Sequence, residues 1–291
     1  MLPVSACYRD KNWKEGGLVT ILVVRRHPKE TYTYGCYLVD MFCLGVKESF
    51  YKFSLSDIDL ESFLRSYREK CDLEQITLFE TGRTCEGIPE ERWNEDYAAP
   101  LLHTLFFLDE VGDGDCLEIV LETLRQNQDY YDFHFGDSRN EVYVPTLYLL
   151  GKDRLPTLLS YMKELGLYTF ARCMVPTAVA LVARMHPERR SEVIDWFRNL
   201  LQFYAEELPH RTCCDGTLVG LIMSDLMDLH ASELLPEIKA VFATGEVDKS
   251  CSGDYRAVEK EILNPSSGWL LDVYKTDIYE RYEDYSKMWK K

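Results

Sequence analysis

No run in this 291-residue sequence approaches the roughly 18–20 consecutive apolar residues that a membrane-spanning helix needs. Met1 to Tyr8 lacks the charged leader and apolar core of a signal peptide, which points to the cytoplasm. Familiar catalytic signatures are missing as well. There is no HExxH, GxSxG, GxGxxG or Walker run, and the six histidines stand apart from one another. The ten cysteines contain no CxxC and have no histidine at zinc-finger spacing, so neither structural zinc nor a disulfide framework is expected, and no cofactor. Positive charge is scarce, at 33 Lys+Arg against 49 Asp+Glu for a net −16. Residues 96–291 carry 20 of those bases and 33 of the acids, a net −13, and residues 1–95 carry the remaining −3. A field of that sign repels phosphate, which disfavours nucleic acid and counts against the basic groove of a HEAT-type repair glycosylase. It is compatible with a basic protein partner, and equally with a surface that is acidic for solubility alone.

What the sequence does have is apolar helical periodicity from about Tyr97 to Gly245. Four segments read as the second helix of a pair. Asp115–Glu118 opens the first, with Leu117, Val120, Leu121 and Leu124 at one-face spacing. Leu155-Pro156 opens the second and Gly166 stops it. His186-Pro187 opens the third, with Val193, Trp196, Phe197, Leu200, Leu201 and Tyr204. Leu235-Pro236 opens the fourth and Gly245 stops it. Each proline falls in a first turn, where a missing N–H costs nothing. The first helices are expected over Ala98–Glu110, Glu141–Gly151, Met174–Met185 and Leu218–His230.

The Leu-Pro pairs at 155 and 235 are 80 residues apart, or two periods of about 40, and Leu117 to Leu155 is one period of 38. Repeats of ~40 residues built from two helices are the mark of HEAT and armadillo arrays. The sequence resembles such an α-solenoid over about half its length. An irregular helical bundle with accidental spacing is the competing reading.

The first ~95 residues change period. Leu18–Val24 is β-branched and apolar throughout, and Thr31–Val39 reads as its hairpin partner. In that partner Tyr32, Tyr34, Cys36 and Leu38 share one face. Ser49–Phe53 adds a short third strand, and Ser56 caps a helix running to about Lys70. Residues 71–96 contain the boundary, so the expected architecture is α+β: a small module over 1–95, then helical pairs over 96–291. The run Tyr37–Lys47, within Leu18–Phe53, also resembles uncharacterised bacterial proteins, a group that implies no assigned activity.

Candidate chemistry is thin. Asp40, Cys43 and Lys47 form one group, in which Lys47 could activate a Cys43 thiolate; the plainer reading packs Cys43 inward and solvates Lys47. Asp132, His134 and Asp137 form another, in an aromatic loop Tyr130–Asp137 that could ligate a metal or rim a contact patch. After Gly245, Tyr255–Leu263 reads as one more helix. The tail sets Tyr282, Tyr285 and Trp289 on one face, as a cap for the array or a partner-binding segment. The expected function is a scaffold or adaptor that binds a protein or peptide on an acidic helical surface. The alternative is a metal- or cysteine-dependent enzyme near His134 or Cys43.

Overall fold

The computed structural model describes residues 4–12, 18–27, 31–40, 45–76, 102, 104–110, 112, 114–210, 212–265 and 274–289. They form two compact units: Met1–Ile119 with Phe133–Phe135, and Val120–Asp132 with Gly136–Lys291. The first carries an antiparallel sheet and the second is helical. No helix among the described residues is long and apolar enough to cross a membrane.

The sheet comprises β1 (Val4–Asp10), β2 (Leu18–Arg26), β3 (Tyr32–Asp40), β4 (Gly45–Leu55) and β5 (Leu73–Ile76), in the order β4-β3-β2-β1-β5. The expected hairpin is β2–β3, paired from Leu18↔Asp40 to Arg26↔Tyr32. Both faces are covered, which is why β2 reads as a continuous apolar run and not an alternating one. On one face Cys7, Val19, Ile21, Val23 and Ile76 pack with Phe107, whose ring meets Tyr37 edge-on at 5.1 Å. On the other, Tyr8, Leu22, Val24, Tyr34 and Cys36 pack with Leu55, Leu64 and Leu73. Helix α1 (Asp57–Arg68) covers that second face, with Phe63 stacked on Tyr34 at 4.0 Å. Its start is a capping box in which Ser56 and Asp59 satisfy each other's amides, as the sequence signals.

Two expectations need correction here. Residues 104–110, read as the opening of the helical array, form helix α2, and Phe107 belongs to the sheet's core. Strands β1 and β5 extend the sheet beyond the three strands expected.

The second unit is a succession of helices. After α3 (Leu117–Leu124) and α4 (Gln128–His134) come α5 (Arg139–Gly151), α6 (Leu155–Met162) and the short α7 (Thr169–Arg172). Next are α8 (Met174–Met185), α9 (Arg190–Glu207), α10 (Gly216–Asp228) and α11 (Leu235–Ala243). The chain ends in α12 (Lys249–Ser252), α13 (Tyr255–Leu263) and α14 (Ile278–Trp289). Pro156 and Pro236 sit in first turns, and the stop glycines Gly166 and Gly245 adopt φ of 73° and 78°. Packing follows a rule. The first helices form one file, α5 on α8, α8 on α10 and α10 on α13; the second helices form another, α6 on α9 and α9 on α11. Most of these packed pairs lie close along the chain, while α14 returns to α5 through Arg281 and the Val142 carbonyl.

Candidate functional site

The segment around Asp132 and His134 is helical, not a loop. Asn127 caps α4 by accepting the Tyr130 amide at 3.0 Å. Tyr131, His134 and Phe135 recur at i, i+3 and i+4 and are all buried, which is the stripe that drives the helix. The His134 ring packs against Phe133 and Phe135, with centroids 4.8 and 6.0 Å away. Asp132 is exposed, accepts from Gln128 Nε2 at 3.2 Å and lies 4.0 Å from Arg139 Nη1. Asp137 is in the 3₁₀ turn Gly136–Ser138. Asp40 ends β3 opposite Gly45, Lys47 is in β4, and Cys43 lies outside the described residues. Among the described residues no three His, Cys, Asp or Glu side chains converge as metal ligands.

Among the described residues burial pushes the shifted thiols upward: Cys7 and Cys173 to about 12, with Cys36, Cys71, Cys213, Cys214 and Cys251 moved the same way. That is the opposite of what a nucleophile needs.

A polar cluster that sequence reasoning missed lies on the first-helix file. Asp225 of α10 is 7% exposed, and burial pushes its carboxyl up to about 8, reinforced by the charge of Asp228 and opposed by a hydrogen bond from Thr177. At neutral pH this carboxyl holds its proton and can donate a hydrogen bond. Tyr274 is raised by burial and then by the negative charges of Asp225 and Glu141. Further along the same segment, Arg281 of α14 is buried against α5. Its Nη2 donates to the Val142 carbonyl at 2.7 Å and reaches Thr146 Oγ1 at 3.4 Å. Burial holds this guanidinium down at about 9. The tail therefore lies on the first-helix file, and among its described side chains Ile278 and Arg281 are buried. Asp225 was legible in principle: it interrupts the apolar stripe Leu218, Ile222, Leu229, where a carboxylate is out of place.

The second-helix file carries a set of links that recur at similar separations along the chain. Tyr161 of α6 donates its hydroxyl to the Leu124 carbonyl at the end of α3, at 3.0 Å. Tyr204 of α9 does the same to Met162 at the end of α6, at 2.7 Å. Arg125 engages Glu122 three residues back and Glu164, 39 residues on. Arg198 engages Asp195 three residues back and Glu237, again 39 on. Arg189 likewise faces both Glu192 and Asp153. Each of these three arginines serves two carboxylates, so the row keeps a net negative charge. Arg172, 2% exposed, ties the loops together by donating to the carbonyls of Glu164, at 2.7 Å, and Cys213.

Neither family models, nor curated proteins, nor solved structures give a match to this chain.

Proposed function

We propose that the second unit is a HEAT-like α-solenoid and that the protein is a scaffold or adaptor binding a basic protein or peptide on it. The observation that carries this reading is the recurrence of one link: a tyrosine hydroxyl on the end carbonyl of the preceding second helix, at Tyr161 and again at Tyr204. A bond repeated in the same role along successive helices is what a translational array produces, because each repeat meets its neighbours in the same way. Arrays of this type present long surfaces suited to extended partners.

The charge gives the partner its sign. Glu122, Glu192, Asp195 and Glu233 are exposed on or beside the second helices, and the arginines among them are outnumbered by carboxylates. A cationic segment gains Coulomb energy there that a neutral one does not, and the gain falls with salt.

A peptide array tests it. Immobilised peptides graded from acidic to basic are probed with the full chain and with the E122K/D195K/E233K variant. The expected outcome is retention on basic peptides by the native chain and loss of that retention in the variant. These exposed ion pairs are worth ~0–1 kcal/mol each, so the variant keeps its fold. Retention that ignores peptide charge, or that survives the reversal, overturns the proposal.

A further inference from the structure

Strand β4 forms one edge of the sheet, and among the described residues no strand lies on its outer side. Such edges are usually made short, charged or covered, because an open row of amides and carbonyls recruits other chains. Here the edge strand runs for 11 residues and exposes large aromatics. Phe50, Tyr51 and Phe53 are 44%, 70% and 63% exposed, and the rings of Tyr51 and Phe53 lie 5.0 Å apart.

Its pairing with β3 is regular from Glu48↔Leu38 to Lys52↔Tyr34, with a register shift on either side. Ser54, at φ 56°, belongs to the shift beyond Lys52. The straight window is therefore Glu48-Ser49-Phe50-Tyr51-Lys52, with Phe50 at its centre. Alternation puts Glu48, Phe50 and Lys52 on one face and Ser49 and Tyr51 on the other.

We propose that β4 pairs antiparallel with β4 of a second copy of this chain, about a two-fold axis through Phe50. Glu48 then stands opposite the second copy's Lys52, and Lys52 opposite the second copy's Glu48. The two Phe50 rings form a cross-strand aromatic pair, and Ser49 meets Tyr51 on the other face. The interface is self-complementary, as a two-fold contact requires. Lysines on an edge ordinarily repel a second strand. In this register each has a glutamate facing it. Lys52 also lies near the Asp59 carboxylate of its own chain, which leaves room for a second acid beside an ammonium with three donors. The charges thus permit pairing and favour this register.

The test is sedimentation of the full chain over a concentration series. It compares the native protein, E48K, K52E, the double variant E48K/K52E, and an equimolar mixture of the two single variants. The native chain is expected to form dimers. Each single variant turns both cross-strand pairs like-charged and should raise the dimer dissociation constant about tenfold or more. The double variant and the mixture restore opposite charges across the axis and should recover native dimerisation. Far-UV circular dichroism, expected to be unchanged for these exposed positions, separates loss of pairing from loss of folding. A native chain monomeric throughout, a dimer indifferent to the single variants, or a mixture that fails to recover would each overturn the proposal.

Discussion

The sheet and the helical unit bury their interiors by different means. Among the described residues every buried side chain of the five strands is hydrophobic, and the two covered faces account for all of them. The helical unit instead buries Arg172, Asp225, Arg281 and Thr146 among its leucines and valines. Hydrophobic burial is insensitive to pH, whereas a buried ionisable group makes stability depend on its proton. Below alkaline pH the difference places pH dependence in the helices and packing sensitivity in the sheet.

The comparison can be broken most sharply at the sheet's centre. Leu22, fully buried between α1-facing side chains, is expected to lose about 3–4 kcal/mol on substitution to Ala, read as a fall in the urea midpoint at unchanged pH dependence. Next comes Asp225→Asn. The folded-state carboxyl titrates at about 8 and the ordinary value is 3.8, so between those values the folded state holds a proton that the unfolded chain has released. Stability contributed by the neutral acid is full below pH ~4 and lost as pH rises towards ~8. The native chain should therefore lose ~2 kcal/mol more than Asp225→Asn between pH 5 and pH 7, measured by urea unfolding at each pH. Equal slopes would remove the distinction between the units.

Smaller effects sharpen it. Tyr204→Phe leaves the Met162 carbonyl without its hydroxyl donor and is expected to cost about 1–2 kcal/mol. Tyr161→Phe, which removes the corresponding bond to Leu124, should cost a similar amount by the same denaturation assay. Unequal costs would mean the two bonds do not share a role. Smallest is Ser56→Ala, which removes one half of the capping box at α1 and should cost about 1 kcal/mol.

Legibility followed the same divide. The hairpin of β2 and β3 was readable because an apolar run and a period of two survive in the sequence, and Ser56 announces α1. β1 mixes Val4, Ala6 and Tyr8 with Arg9 and Asp10, and β5 has four residues, so neither shows a period long enough to detect. Leu-Pro and Gly punctuation marked helices of the second unit within a few residues. Helix α4 was hidden by its acids, although Tyr131, His134 and Phe135 carried the stripe. The cluster around Asp225 joins residues from α5, α8, α10 and the tail segment. A partnership made across such separations leaves no local motif; a single acid in an apolar stripe was the available sign. His134 stood out for its chemistry, and its surroundings turn out to be aromatic packing.

The acidic helical surface as a binding site for a cationic partner is the claim on which the functional account rests. Fluorescence anisotropy of a labelled lysine- and arginine-rich peptide, titrated with the full chain at rising sodium chloride, tests it most directly. Saturable binding that weakens steeply with salt and disappears in E122K/D195K/E233K is expected. Absence of binding at low salt, or binding that neither salt nor charge reversal changes, would contradict it.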